Sequence, residues 1–168
     1  MKKKLVFKGK LLKLFTQRKK LPNGYLANLE IIEHPGAVLI IPFLSKEKVI
    51  LLKQFRPVIN SYIYELPAGT LDDGELPLSC ARREIIEEIG YSAKIMKRLG
   101  VIFPVPGYST EKITVYKAQK LKKEKIDSQK DEVISSFVVT RRNVKELFKK
   151  GRLVDSKTIS AFCMCGWL

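Results

Sequence analysis

The sequence is poor in the residues that most often hold zinc. It has a single histidine, His34, which excludes a zinc centre built on several histidines. It has three cysteines, an odd number that argues against a disulfide framework and fits a reducing, cytoplasmic setting. Cys163 and Cys165 stand one residue apart with no second pair, and read as core or inert surface thiols. No apolar run is long enough to span a bilayer, so no membrane partner is expected. The N-terminus, MKKKLVFKGKLLKLF, begins like a signal peptide. Its longest apolar run is only three residues, too short for the apolar core of such a peptide. Acidic residues are scarce too, 17 against 32 lysines and arginines, which leaves a formal charge of +15. A balance of this size attracts polyanions and steers an anionic nucleotide. Yet no aromatic RNA-binding signature or zinc knuckle is present. A solubilising basic surface is the simpler reading, and nucleic acid is not expected as a partner.

A chain of 168 residues with 45% hydrophobic content can bury one sizeable core. The sequence shows no repeat, linker or low-complexity tract, so residues 1–168 read as one domain.

Against the general shortage of acid, one stretch concentrates it. Gly69 to Tyr91 reads GTLDDGELPLSCARREIIEEIGY. Leu78, Ala81, Ile85 and Ile89 recur at helical spacing, which predicts a helix over Pro77–Ile89 with one buried face. Pro77 suits the first turn and Gly90 the stop. Glu84, Glu87 and Glu88 then share a second face. Like charges at this spacing repel, so a helix built for stability alone would interleave lysines. A divalent cation between the carboxylates explains the grouping, because hard cations take oxygen ligands and share them with phosphates. The competing reading is a solvated acidic face.

The spacing decides between them. Gly69, five residues, Glu75, seven residues, Arg83-Glu84, two residues, Glu87-Glu88, one residue and Gly90 fill every fixed position of a signature. The stretch resembles the Nudix box; Tyr91, where an aliphatic is usual, is the one soft departure. The resemblance implies an α/β fold, the Nudix α/β/α sandwich with a mixed sheet. It implies that Glu84 and Glu88 are the main metal ligands, with Glu87 a further ligand or a carboxylate behind them. The carbonyl of Ala68 would be another ligand, and Gly69 would allow the tight backbone beside it. Arg83 would orient Glu87, and Glu75 would tie loop to helix. The implied cofactor is Mg²⁺, with Mn²⁺ as a substitute.

Residues 1–20 carry nine basic and no acidic residues among many apolar ones, and read as an amphipathic strand pair. Pro22-Asn23-Gly24 turns the chain and Tyr25–Glu33 alternates as a strand. Ala37–Phe43 and Val49–Phe55 read as a buried hairpin, and Ser61–Leu66 as a short strand. LLKQFRP (Leu51–Pro57) and YELPAG (Tyr64–Gly69) resemble the ADP-ribose pyrophosphatase branch of the Nudix family. In that branch the N-terminal strands form a small antiparallel sheet, which implies that residues 1–35 are a β extension involved in a homodimer. By the same resemblance Arg56 would contact substrate, and Tyr64 and Glu65 would help bind the nucleotide.

Ser92–Val101 reads as a strand, and the loop Phe103–Glu111 resembles one that marks nucleoside diphosphate-sugar members. Glu111 there is a candidate substrate contact. Lys112–Ala118 reads as a strand and Leu121–Glu132 as a polar loop. In similar enzymes this loop supplies a glutamate that binds metal or acts as general base. Glu132 fills one such position, while Lys130 occupies the other, and a charged lysine cannot be a base. Asp131, Glu111 and a metal-bound hydroxide are the alternatives to Glu132. Thr140 is a candidate cap for a helix over Arg141–Lys150, and Asp155 or Ser156 for a last helix that buries Ile159, Phe162, Cys163 and Trp167.

The implied function is Mg²⁺-dependent hydrolysis of ADP-ribose, or another nucleoside diphosphate-sugar, to a nucleoside monophosphate and a sugar phosphate. The alternatives are another Nudix pyrophosphohydrolase activity, on a dinucleotide, a nucleoside triphosphate or an RNA 5′ end, and a non-catalytic nucleotide-binding module.

Overall fold

The computed structural model describes residues 3–124 and 133–168. Two sheets carry the chain. The smaller is antiparallel, in the order β1 (Lys4–Lys8), β2 (Lys13–Lys20) and β3 (Leu26–Glu33). β2 and β3 pair along their whole length, from Lys13 opposite Glu33 to Lys20 opposite Leu26. The turn between them is closed by Gly24 N–H on the Leu21 carbonyl at 2.9 Å. The expected strand pair and the strand after it are therefore present, at slightly shorter bounds.

The larger sheet has seven strands. β10 (Ile134–Thr140), β5 (Lys48–Arg56), β4 (Ala37–Ser45), β9 (Ile113–Lys123) and β8 (Tyr91–Ile102) lie in that order. β4 runs parallel to β9 and antiparallel to β5, so the sheet is mixed. β4 and β5 pair only near their shared turn, at Phe43–Val49 and Ser45–Lys48. Beyond it they part, and two short strands fill the gap. β6 (Ser61–Glu65) pairs with β5, and β7 (Ala68–Thr70) with β4.

The period of β4 builds the layers. Successive side chains of a strand point to opposite faces, and a strand buried on both faces reads as continuously apolar. Ala37 to Phe43 are all buried. Val38 and Ile40 pack with Ile50 and Leu52 against α1 (Pro77–Ile89), through Cys80, Ala81, Ile85 and Ile89. Leu39, Ile41 and Phe43 pack with Leu51 against α2 (Arg141–Lys149) and α3 (Ser156–Met164), through Val144, Ala161 and Phe162. The result is the expected α/β/α arrangement with a mixed sheet.

The structure departs from the sequence reading in five places. Leu78 is 41% exposed, and Cys80 takes the buried position instead. β9 continues past Ala118 to Lys123, because its polar end still pairs with β8. Ala68–Thr70 is a strand, and Pro57–Ile59 is a short 3₁₀ turn. Cys163 faces solvent, while Thr158 and Ala161 join Phe162 beneath α3. The caps are as expected: Thr140 accepts from Asn143 N–H, and Asp155, rather than Ser156, accepts from Thr158 N–H.

Phe162 is fully buried and stacks on Trp167 with centroids 5.6 Å apart, while Trp167 meets Phe43 edge-on at 5.3 Å. Phe162→Ala is expected to lower unfolding free energy by about 3–5 kcal/mol, the usual cost of emptying an aromatic core position. Urea titration measures it; a loss under ~1 kcal/mol would mean that α3 is not anchored by this stack.

Candidate active site

α1 starts at Pro77, whose missing N–H costs nothing in a first turn, and stops at Gly90 in the left-handed region at φ +68°. Its acidic face turns toward β7. Glu84 is only 8% exposed, deep enough that its charge must be compensated. Gly69 explains how it fits: a Cβ on this residue would lie 1.9 Å from the Glu84 carboxyl. No residue with a side chain can occupy that place without displacing Glu84.

Arg83 is the compensating cation. Its Nη1 donates to Glu84 Oε1 at 2.6 Å and to Glu87 Oε2 at 3.1 Å. Its Nε and Nη2 form a fork on Glu75, at 3.1 and 2.9 Å, and Nη2 also reaches the Thr70 carbonyl at 3.3 Å. One guanidinium thus joins loop, strand and helix, and its own pKa is raised by these carboxylates. Glu75 accepts from Asp72 N–H at 3.1 Å as well. The Arg83 fork lowers the Glu75 carboxyl to about 2. Cys80 lies under this network, and burial, with Glu84 and Glu75 nearby, pushes its thiol up to about 12. It is a packing residue there and not a nucleophile. Glu88 accepts from Ala68 N–H at 2.9 Å.

These residues border one cleft of about 710 Å³. Arg56, Ala68, Gly69, Arg83, Glu84, Glu87, Glu88 and Glu111 all line it. The structure therefore brings together most of the residues singled out from the sequence. Glu111 arrives on the loop after β8, which is stitched to the end of β3. Ile32 N–H donates to the Tyr108 carbonyl at 2.7 Å, and Thr110 N–H to the Ile32 carbonyl at 2.9 Å. His34 N–H donates to Thr110 Oγ1 at 3.0 Å.

Tyr64 and Glu65 are not among the lining residues. Tyr64 packs edge-on against Phe137 at 5.7 Å and takes a hydrogen bond from Arg152 at 2.9 Å. Glu65 is 1% exposed and accepts a fork from Arg56, Nε at 2.7 Å and Nη2 at 3.0 Å. Lys157 also pairs with it. Glu132 lies outside the described residues, with Lys130 and Asp131. Lys157, at the start of α3, lines the cleft beside Asp155 and Ser156, and no motif in the sequence pointed to it.

The donor set suits a hard divalent cation. Glu84, Glu87 and Glu88 offer oxygen alone, and Gly69 leaves room for the Glu84 carboxylate. Among the described residues no three acidic, cysteine or histidine side chains already converge on one point. Each of the two gives one oxygen to Arg83, Glu84 its Oε1 and Glu87 its Oε2, so the guanidinium sets where both carboxylates stand.

The lowered pKa of Glu75 has a measurable consequence. A carboxyl depressed in the fold adds stability above its ordinary value, and that stability fades as pH falls toward the folded-state value. Wild type is expected to exceed Glu75→Gln in urea midpoint above about pH 5. The gap should close between 4.5 and about 2. A gap independent of pH over this window would show that the charge of Glu75 is not what Arg83 holds.

Comparison with known proteins agrees with this geometry. Residues 33–162 match the model of the NUDIX domain. The chain is 35% identical over 161 residues to an ADP-ribose pyrophosphatase of Bacillus subtilis (strain 168), spanning 95% of this chain and 87% of that protein. It is 35% identical over 158 residues to a methanol dehydrogenase activator of Bacillus methanolicus, spanning 93% and 85%. A crystal structure of an ADP compounds hydrolase superposes with a TM-score of 0.83 at 22% identity, covering 98% of this chain and 90% of that one, which shows a shared fold. With the box filled, the sandwich in place and the domain model matched across most of its length, the chain belongs to the Nudix family.

Proposed function

We propose that the chain hydrolyses the diphosphate bond of ADP-ribose, or of a closely related nucleoside diphosphate-sugar, to a nucleoside monophosphate and a sugar phosphate. The observation that carries this reading is the meeting of Arg56, Glu84, Glu87, Glu88 and Glu111 in one cleft. The activities for which similar proteins are named support the substrate class: ADP-ribose pyrophosphatase in Bacillus subtilis (strain 168) and ADP-sugar pyrophosphatase in Mus musculus.

The activity depends on a divalent metal, for which we propose Mg²⁺, with Mn²⁺ as a substitute. Glu84, Glu87, Glu88 and the Ala68 carbonyl would hold it. When bound, such an ion neutralises phosphate oxygens and acidifies a water. The chain's own groups supply position and charge. Ala68 N–H fixes one oxygen of Glu88 and so aims the carboxylate into the cleft. Arg83, anchored on Glu75, sets where Glu84 and Glu87 stand. Arg56, anchored on Glu65, presents a cation to the phosphates. Glu111 faces the sugar end, and Glu132 is the proposed base that takes the proton from the attacking water.

We also propose that residues 1–168 act as one domain and that residues 1–35 join two copies in a homodimer. Leu5, Val6, Phe7, Leu11, Leu12, Tyr25 and Leu26 are exposed on and around the small sheet, which suits burial against a second subunit. Among the described residues no helix is long and apolar enough to cross a membrane.

A panel of nucleoside diphosphate compounds with Mg²⁺, with products identified by mass spectrometry, tests the reading. ADP-ribose is expected to give AMP and ribose 5-phosphate. Turnover of dinucleotides or triphosphates alone would overturn the substrate class. Glu88→Gln is expected to lower kcat on the order of 10²-fold or more, the scale of losing one strong charge-stabilising contact. Near wild-type kcat would remove Glu88 from the metal set. For the base, Glu132→Gln is expected to be crippled over the neutral pH range. If Glu111→Gln is crippled and Glu132→Gln is not, the base is Glu111.

A further inference from the structure

Besides Arg56 and Arg83 the cleft is lined by a third basic residue, contributed by the last helix. We propose that Lys157 is a positioning residue for substrate, acting through Glu65 to hold Arg56 toward the phosphates. This inference rests on the proposed diphosphate reading.

Three elements meet at one buried carboxylate. Glu65 comes from β6, Arg56 from the end of β5 and Lys157 from the first turn of α3. Arg56 donates Nε to Glu65 Oε2 and Nη2 to Oε1. Lys157 Nζ donates to Oε1 too, so that oxygen is held from two sides. A carboxylate gripped by a fork and a third donor has little freedom to turn about its last bond. Arg56 therefore keeps both of its acceptors and one orientation. Asp155 Oδ1 steadies the lysine at 2.8 Å, while its Oδ2 caps Thr158 N–H at 2.9 Å.

The lysine is not needed to dock α3. Thr158 does that by accepting Leu66 N–H through its hydroxyl at 2.9 Å, and Phe162 and Ala161 do it by burial. A lysine with 17% of its side chain exposed pays rotamer entropy and desolvation that an apolar residue would avoid. Its placement has a functional rationale. Its Nζ keeps Glu65 from turning away from Arg56, so the guanidinium stays fixed at the wall of the cleft. The Arg56 side chain is 39% exposed there, open to an anionic substrate.

The test uses the full chain and reads two quantities. Steady-state kinetics with ADP-ribose and Mg²⁺ are compared for wild type, Lys157→Met and Lys157→Arg. Lys157→Met is expected to raise KM by roughly tenfold with a smaller fall in kcat, the signature of lost binding common to ground and transition states. Lys157→Arg is expected to recover most of it. Separately, the Arg56 Nε–H resonance in ¹⁵N spectra reports the fork on Glu65 without any turnover. In Lys157→Met it should move and exchange faster with water; in Lys157→Arg it should return. An unmoved resonance overturns the proposal, as does a moved resonance with unchanged KM. If wild type leaves ADP-ribose intact, the functional reading fails on its own and the resonance alone decides the fate of Lys157. If Lys157→Met does not fold, Lys157→Gln replaces it. Failure of both to fold while Lys157→Arg folds would assign the residue to stability and overturn the proposal.

Discussion

A single guanidinium makes the arrangement of this chain possible. α1 places Glu84, Glu87 and Glu88 within little more than one turn, and Glu75 closes in from the preceding loop. Two like charges about 4 Å apart repel by about 4 kcal/mol at the effective dielectric of a protein surface, and by more when partly buried. Arg83 offsets that repulsion by contacting three of the four carboxylates. It also reaches backwards to Thr70, so the loop, β7 and the helix are set relative to one another by its planar fork. Gly69 completes the constraint by omission. The Glu84 carboxyl stands where a Cβ would be, and the acidic face can approach the strand only because that atom is missing.

The sheet supplies the other half. Were β4 and β5 paired to their ends, no place would exist for β6 and β7. Their divergence after Phe43 and Val49 opens a wedge, and the backbone groups exposed there are satisfied by the two short strands. The wedge carries Glu65 and Ala68 into position, and the Leu66-Pro67 link between them is bonded on both sides. Leu66 N–H donates to Thr158, and the Pro67 carbonyl accepts from Ile40 N–H. Core and cleft are thus one construction: the strand that buries Leu39 and Ile41 also pairs with the residue whose N–H aims Glu88.

Much of this was legible in the sequence because it depends on local spacing. The helix over Pro77–Ile89, its acidic face and the turn after it follow from period and caps alone. So do the layers, since an apolar run such as Ala37–Phe43 has to be covered on both faces. The misses have physical causes. Leu78 sits in the first turn of α1, before the buried positions begin at Cys80, and helical spacing does not say where cover begins. Ala68–Thr70 is too short to show any alternation. Leu121–Lys123 looks like loop from its charges, yet the pull of the neighbouring ladder outweighs low strand propensity. The resemblance carried by YELPAG treats Tyr64 and Glu65 alike, whereas in a strand adjacent side chains part, one to Phe137 and Arg152, the other to Arg56. The pairing of Lys157 with Glu65 spans 92 positions and leaves no trace in any local pattern.

The charge of the whole and the charge of the cleft act at different ranges. The surplus of +15 draws a nucleotide toward the protein over distances of about a Debye length, ~8–10 Å at physiological salt. At contact the balance reverses, since Glu84, Glu87, Glu88 and Glu111 line the cleft and repel phosphate. Under the proposed function a diphosphate would meet the fixed cation of Arg56 first, and the acidic face only together with added cations. Under the proposed function, capture and chemistry therefore fall to different groups of residues. The basic end fixes the substrate, and the crowded carboxylates, costly to assemble and held apart by Arg83, are the part of the site that a metal converts from a barrier into a binding surface.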